Sequence, residues 1–173
     1  SQLSNLDILV FSAATDIPKS VDEATYTEWR EVTSVMLDGA FLCTRFATAL
    51  IAKSDNPNIV YISSMDGIRP DGEYIAYQVG EAGLIALTKA NAKYLGNKYG
   101  IRVNALCPGP IRTGLWDKVG ESTDSMWEEL DNKSPMKRVG TPQDVANACI
   151  SLTEDPGKFL NGNLIFIDGG SGL

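Results

Sequence analysis

Two periodicities alternate along this sequence. Leu6-Asp7-Ile8-Leu9-Val10-Phe11, Asn58-Ile59-Val60-Tyr61-Ile62-Ser63-Ser64, Ile101-Arg102-Val103-Asn104-Ala105-Leu106 and Leu164-Ile165-Phe166-Ile167 are short apolar runs that end at small or turn-forming residues. Such runs predict strands buried on both faces of a parallel sheet. From Asp22 to Ala52, by contrast, Trp29, Val32, Met36, Phe41, Leu42, Phe46 and Leu50 recur at helical spacing. They predict one long helix, bent near Gly39, with Ser20 or Asp22 as its N-cap. A second long helix is predicted over Tyr74 to Tyr99, closed by Gly100. The third strand should break at Cys107-Pro108-Gly109-Pro110. Residues 111–137 set Trp116, Met126 and Trp127 among charges and turn formers, either a loop-and-helix lid over a ligand site or an ordinary surface insertion. Thr141-Pro142-Gln143-Asp144 supplies a cap and an N-terminal proline for a helix to about Leu152. Strands alternating with helices predict an α/β fold with a doubly wound parallel sheet and right-handed crossovers, in a single domain over 1–173.

Composition narrows the chemistry. With 43% hydrophobic and 21% charged residues the chain reads as globular, and no uninterrupted apolar run reaches the ~18 residues of a membrane span. The net charge of −7 repels phosphate backbones, so nucleic acid is not expected as a partner. There is no histidine, and the three cysteines, Cys43, Cys107 and Cys149, are far apart, so no Cys/His metal site and no Ser-His-Asp triad can be built. The cysteines read as buried thiols of a reducing compartment. Ser1-Gln2-Leu3-Ser4 has no secretory character, and a cytoplasmic location is expected.

Five blocks then fall in a recognisable order. Leu6 to Val10 resembles a fourth strand, and Ile62-Ser63-Ser64, followed thirteen residues later by Tyr77, resembles a catalytic serine and tyrosine. Ile101 to Ala105 with Pro108-Gly109 and Thr113 resembles a sixth strand and the turn facing a nicotinamide. Arg138-Val139-Gly140-Thr141-Pro142 and Asp168-Gly169-Gly170 resemble C-terminal signatures. Together they resemble the short-chain dehydrogenase/reductase family over nearly the whole chain. The resemblance implies a Rossmann-type fold, NAD or NADP as cofactor, and a small-molecule substrate. Ala13, Pro108, Gly109 and Thr113 are the implied remnant of the cofactor site. The two long helices, 22–52 and 74–99, would form a homo- or hetero-oligomer.

The departures from that pattern concern one function. Tyr77 would exchange a proton with substrate, and the family lowers its pKa with a lysine four residues on, where this chain has Glu81. A carboxylate there disfavours the phenolate; at an effective dielectric of ~20 a unit charge at ~4 Å is worth about 4 kcal/mol. The family's relay asparagine aligns with Met36, and its Asn-Asn-Ala-Gly stands here as Phe11-Ser12-Ala13-Ala14, which would put a ring near the cofactor. A glycine-rich phosphate turn in a βαβ unit is absent, as are two or three βα units, so the fold is expected to be partial. The Ile8-Leu9-Val10 edge should then pair with more of a longer polypeptide or with a partner. Three readings stay open: a degenerate subunit assembled with an active paralogue, an active oxidoreductase lacking its N-terminal half here, and a non-redox acid/base enzyme using Tyr77 with Glu81.

Overall fold

The computed structural model describes residues 3–118, 120, 122–154 and 157–173, so Ser1 and Gln2 of the N-terminal reading, and residues 119 and 121 of the lid segment, lie outside it. Four strands, β1 (Ile8–Phe11), β2 (Asn58–Ile62), β3 (Arg102–Pro108) and β4 (Leu164–Ile167), form one sheet in chain order. Every pairing is parallel, with Val10 beside Val60, Val60 beside Asn104, and Ala105 beside Leu164. The Rossmann-type α/β expectation therefore holds. One boundary moves: β3 continues through Cys107 and Pro108, because both pair with Phe166 and Ile167 of β4. Pro108, lacking an N–H, sits at the strand's last position, where no further ladder bond is needed.

Alternation sorts the side chains onto two faces. Phe11, Ile59, Tyr61, Val103 and Ala105 meet Ile51, Leu84, Ala92 and Leu95 from the two long helices. On the opposite face Val60 and Leu106 meet Leu152 of α6 (Pro142–Thr153). Val10 shares that second face with Val60 but is 46% exposed, so the edge strand β1 keeps an open apolar side.

The first long helix begins at Tyr26, not Asp22, and is capped by Thr25. Thr25 Oγ1 accepts from Glu28 N while the Glu28 carboxylate accepts from Thr25 N, a capping box legible as Thr25-Tyr26-Thr27-Glu28. Ser20 caps nothing helical; it bonds Asp22 and Glu23 in the preceding turn. The predicted bend is a π turn over Ser34–Asp38 that joins α1 (Tyr26–Thr33) to α2 (Gly39–Ile51) just before Gly39. The whole rod, Tyr26–Ile51, has a stretch of mean hydropathy 1.4 and is long and apolar enough by length and composition to cross a membrane. Asp38 and Arg45 interrupt the stretch, so it is not an uninterrupted apolar run. Part of this apolarity is spent inside the protein, through Val32, Met36, Ala40 and Ile51. Cys43, expected to be buried, is exposed on this rod, whereas Cys107 is buried.

α3 (Ile75–Tyr99) ends as predicted, with Gly100 in the left-handed region at φ 70°. It carries Asn91, whose amide donates to Tyr61 Oη at 2.9 Å; Tyr61 Oη also lies 2.5 Å from Thr44 Oγ1. Tyr61 is wholly buried, so this three-residue link ties α2, β2 and α3 at a site water does not reach. Tyr61→Phe leaves Thr44 and Asn91 short of a partner and is expected to cost about 1–3 kcal/mol in urea unfolding. An unchanged midpoint would show that the link adds nothing.

Candidate active site

The C-terminal ends of parallel strands are where open α/β sheets bind ligands, and the singled-out residues gather there. Ser63 and Ser64 follow β2; Ser63 N donates to Leu106 O at 2.8 Å, which locks the segment to β3. Ser64 Oγ accepts from Asp66 N at 3.1 Å and so caps the short 3-10 turn Met65–Gly67. It also acts on Tyr77, favouring the phenolate against the larger effects of burial and Glu81. The serine thus fills the turn-capping role that its position suggested.

Tyr77 and Glu81 lie one turn apart on α3, close enough for each to shift the other's proton affinity. Glu81 is 2% exposed, and its Oε2 has no hydrogen-bond partner among the described residues. Burial, foremost, pushes its carboxyl up to about 8. Tyr77 is held well above the ordinary phenol range, first by burial and second by Glu81. Glu81 raises the Tyr77 pKa as expected, but burial is the larger cause, and with its own carboxyl pushed up to about 8 Glu81 is largely a neutral acid at neutral pH, not a fixed carboxylate. Gly67 explains how tightly the turn presses on this pair, since a Cβ there would stand 2.7 Å from Glu81 C and 2.8 Å from Ala82 N.

Met36 is fully buried in the π turn and packs with Val32, Ala76 and the Tyr77 ring. A Cβ at Gly80 would stand 2.7 Å from Met36 Sδ, so the thioether occupies the notch that this glycine leaves on α3. An apolar plug therefore lies against Tyr77 where a relay would need a polar group. Phe11 corrects another expectation. Its ring is 5% exposed, edge-on to Tyr61 at 6.4 Å, and within about 3.4 Å of where a Gly39 Cβ would be; it fills the core under α2 instead of facing a cofactor.

Of the remnant cofactor residues, Ala13 is exposed just beyond β1, and Thr113 lines a cleft of about 400 Å³ with Arg112, Asp117, Ser122, Thr123 and Trp127. Pro108 is buried in β3, and Gly109 serves packing, because a Cβ there would stand 3.0 Å from Asp168 Cβ. Pro108 and Gly109 shape the strand end that carries Thr113. The segment expected to be either a lid or a surface insertion folds into α4 (Gly114–Lys118) and α5 (Asp124–Lys133), which bound the cleft. Trp127 is 5% exposed, packs edge-on against Trp116 at 5.5 Å, and carries the Arg112 guanidinium over its ring at 4.8 Å.

Sequence reading missed the surroundings of the pair. Ser63 Oγ donates to Glu81 O at 3.2 Å, and Asp66 and Asp16 act on Glu81 through their charge. Cys107, pushed up to about 11 by burial, also feels Glu81. These residues come from four separate segments, and no local spacing relates them. Asp66 alone carried a hint, two residues after Ser64 in a glycine-bounded turn. No group of three or more acidic or thiol side chains able to hold a metal ion occurs among the described residues.

Comparison with known proteins agrees with this geometry. Residues 1–172 match the family model described as Enoyl-(Acyl carrier protein) reductase. The chain is 32% identical to a probable 2,4-dienoyl-CoA reductase of Bacillus subtilis, over 97% of this chain and 66% of that protein's length. It is 30% identical to the (2S)-[(R)-hydroxy(phenyl)methyl]succinyl-CoA dehydrogenase subunit BbsD of Thauera aromatica, over 97% and 66% of the two chains. Among solved structures, the ligand-free aldohexose dehydrogenase of Thermoplasma acidophilum superposes with a TM-score of 0.88 at 29% identity, covering 96% of this chain and 68% of that one. The chain thus spans slightly under two thirds of the length of these first two relatives. A sheet of parallel strands with Ser64 and Tyr77 at its carboxyl ends, matched from end to end by these proteins, belongs to the short-chain dehydrogenase/reductase family of oxidoreductases.

Proposed function

We propose that this chain is a degenerate subunit of that family, one that does not itself transfer hydride and that assembles with an active paralogue in an NAD(P)-dependent hydroxyacyl or alcohol dehydrogenase complex. The observation that carries the reading is the buried Glu81 beside Tyr77. Alcohol oxidation needs a phenolate, and burial together with Glu81 holds Tyr77 in its protonated form. Met36 removes the polar route by which that proton would leave. Ser64 can still donate to a substrate oxygen, and Ala13 and Thr113 would flank the nicotinamide, which when bound supplies or accepts the hydride. The name of the Thauera relative, a subunit of a dehydrogenase, supports the assembly.

The open helix faces supply the contact surface. Phe41, Leu42 and Phe46 on α2 are 53%, 46% and 72% exposed, and Val79 and Tyr94 on α3 are 38% and 60% exposed. An apolar area of this kind is stabilised by a packed protein partner in a homo- or hetero-oligomer. Phe46→Asp is expected to shift the native mass to that of a single chain without loss of helical signal. A wild-type protein that stays monomeric at micromolar concentration both alone and on copurification with family paralogues overturns the assembly.

Titration of the protein with NAD(H) and NADP(H) by calorimetry, followed by a turnover assay, tests the loss of catalysis. Weak binding without turnover is expected. Micromolar binding with turnover establishes the active reading instead, an oxidoreductase interconverting a secondary alcohol and a ketone. A second reading, an acid/base enzyme without hydride transfer, is favoured by one observation: the Glu81 carboxyl titrates at about 8, close to neutrality, in contact with a phenol.

A further inference from the structure

We propose that Asp168 is a positioning residue for the Ser64 hydroxyl, acting through the C-terminal glycine turn and the Met65 side chain. This builds on the reading of Ser64 as the surviving donor but needs no turnover. Asp168 follows β4, and its carboxylate folds the chain end into a tight turn: Oδ1 accepts from Gly170 N and Oδ2 from Gly172 N, each at 3.0 Å. Leu173 N donates to Gly170 O at 3.1 Å. Gly169 and Gly170 lie in the left-handed region at φ 60° and 83°, which favours glycine. The residues after α5 back this turn, since an added Cβ at Gly170 would stand 3.2 Å from Pro135 Cγ and one at Gly169 3.3 Å from Ser134 Oγ.

Gly172 differs from them. Its φ is not positive, so its need for glycine comes from what lies against it. A Cβ there would collide with Met65 Cε and stand 2.8 Å from Asp168 Oδ2. Met65 Sδ also lies 3.4 Å from where a Gly109 Cβ would be, and Asp168 Cβ lies 3.0 Å from the same point. The methionine is therefore seated between Gly109, just after β3, and Gly172, on the turn after β4, in a notch that Asp168 closes. Met65 is also the first residue of the 3-10 turn that Ser64 caps. Its carbonyl accepts from Ile68 N and Arg69 N, both at 2.9 Å, while Ser64 Oγ accepts from Asp66 N at 3.1 Å. Holding the Met65 side chain thus holds the turn that carries the Ser64 hydroxyl, with one peptide bond between the two residues. A thioether freed from its notch has three rotatable bonds and several rotamers, and the turn loses its anchor. A carboxylate at the end of β4 in this way fixes a hydroxyl at the end of β2, across β3.

Residue-resolved amide exchange by NMR, on the chain as it stands and with tyrosine labelled at Cζ, tests this. Asp168→Ala is expected to speed exchange of the Asp66, Ile68 and Arg69 amides about tenfold, while those of Val60 and Asn104 in the sheet stay unchanged. The Tyr77 Cζ signal, assigned by its loss in Tyr77→Phe, should shift, because Ser64 acts on that phenol. A turn that only clamps the chain end would leave that signal in place. Asp168→Asn keeps one acceptor and should fall between wild type and Asp168→Ala. Met65→Ala should release the same three amides with Asp168 intact, and adding Asp168→Ala should then change them by less than about twofold. Gly172→Ala, which alters neither side chain, should release them too and serves if Asp168→Ala folds poorly. Additive effects of Met65→Ala and Asp168→Ala, an unmoved Tyr77 signal or unchanged turn amides overturn the proposal, whatever the cofactor titration shows.

Discussion

Glu81→Gln is expected to stabilise the protein at pH 8 and above and to leave it unchanged near pH 4. The Glu81 carboxyl has an ordinary value of 4.5 and stands at about 8 in the folded chain. Between those values the native state holds a proton that the unfolded state has lost. Stability from this group is therefore complete below 4.5 and is lost as the pH rises through 8. Each pKa unit corresponds to about 1.4 kcal/mol, so the full difference of about 3.5 units is on the order of 5 kcal/mol. Glutamine has a similar shape and no charge to desolvate, and it escapes this loss. Urea midpoints of the two proteins from pH 4 to 9 should diverge upward through that window. Parallel curves would mean that Glu81 ionises without penalty, and the account of the site would fail.

The double substitution Glu81→Lys with Met36→Asn is expected to lower the Tyr77 pKa by two to three units and to open alcohol oxidation in the presence of NAD(P) and a partner subunit. A lysine one turn beyond Tyr77 replaces a proton donor with a fixed positive charge, worth about 4 kcal/mol at ~4 Å in an effective dielectric of ~20. That amounts to about three pKa units, and general-base catalysis of this kind contributes on the order of 10²–10⁴ in rate. Asp66 and Asp16 keep the new ammonium charged. Phenolate absorbance, with Tyr77→Phe subtracted, reports the pKa, and stopped-assay product reports the rate. Loss of an activity already present in the wild type would instead establish the acid/base reading of the Tyr77–Glu81 pair.

The order of elements was legible because strands buried on both faces and long helices leave different apolar spacings, and tertiary packing reinforced both. Boundaries were less so. Asp22 looked like a cap for want of a reason to prefer Thr25, although the glutamate three residues after Thr25 marks a capping box. Proline and glycine after Leu106 looked like a strand end, but pairing with β4 carried the strand two residues further. Within the site, Ser64, Tyr77, Glu81 and Met36 could be named because their separations along the chain match a family. What they touch could not. That Met36 fills the notch at Gly80, that Phe11 turns under α2, and that Ser63 and Asp66 border Glu81 all follow from how four segments meet in space.

The π turn at Ser34–Asp38 gives the first long helix a phase shift. One extra residue in a turn rotates everything that follows by about 100° relative to a continuous α-helix. Before the turn, Val32 points to the Tyr77 side of α3; after it, Ala40 and Ile51 join the core and Thr44 meets Tyr61 over the sheet. Deleting a single residue within Ser34–Asp38 would regularise the helix and swing Thr44 off Tyr61. It would also reorient the exposed Phe41 and Phe46. A local hydrogen-bonding irregularity thus works like the offset on a key, setting which side chains of the rod meet Tyr77 and which meet the sheet.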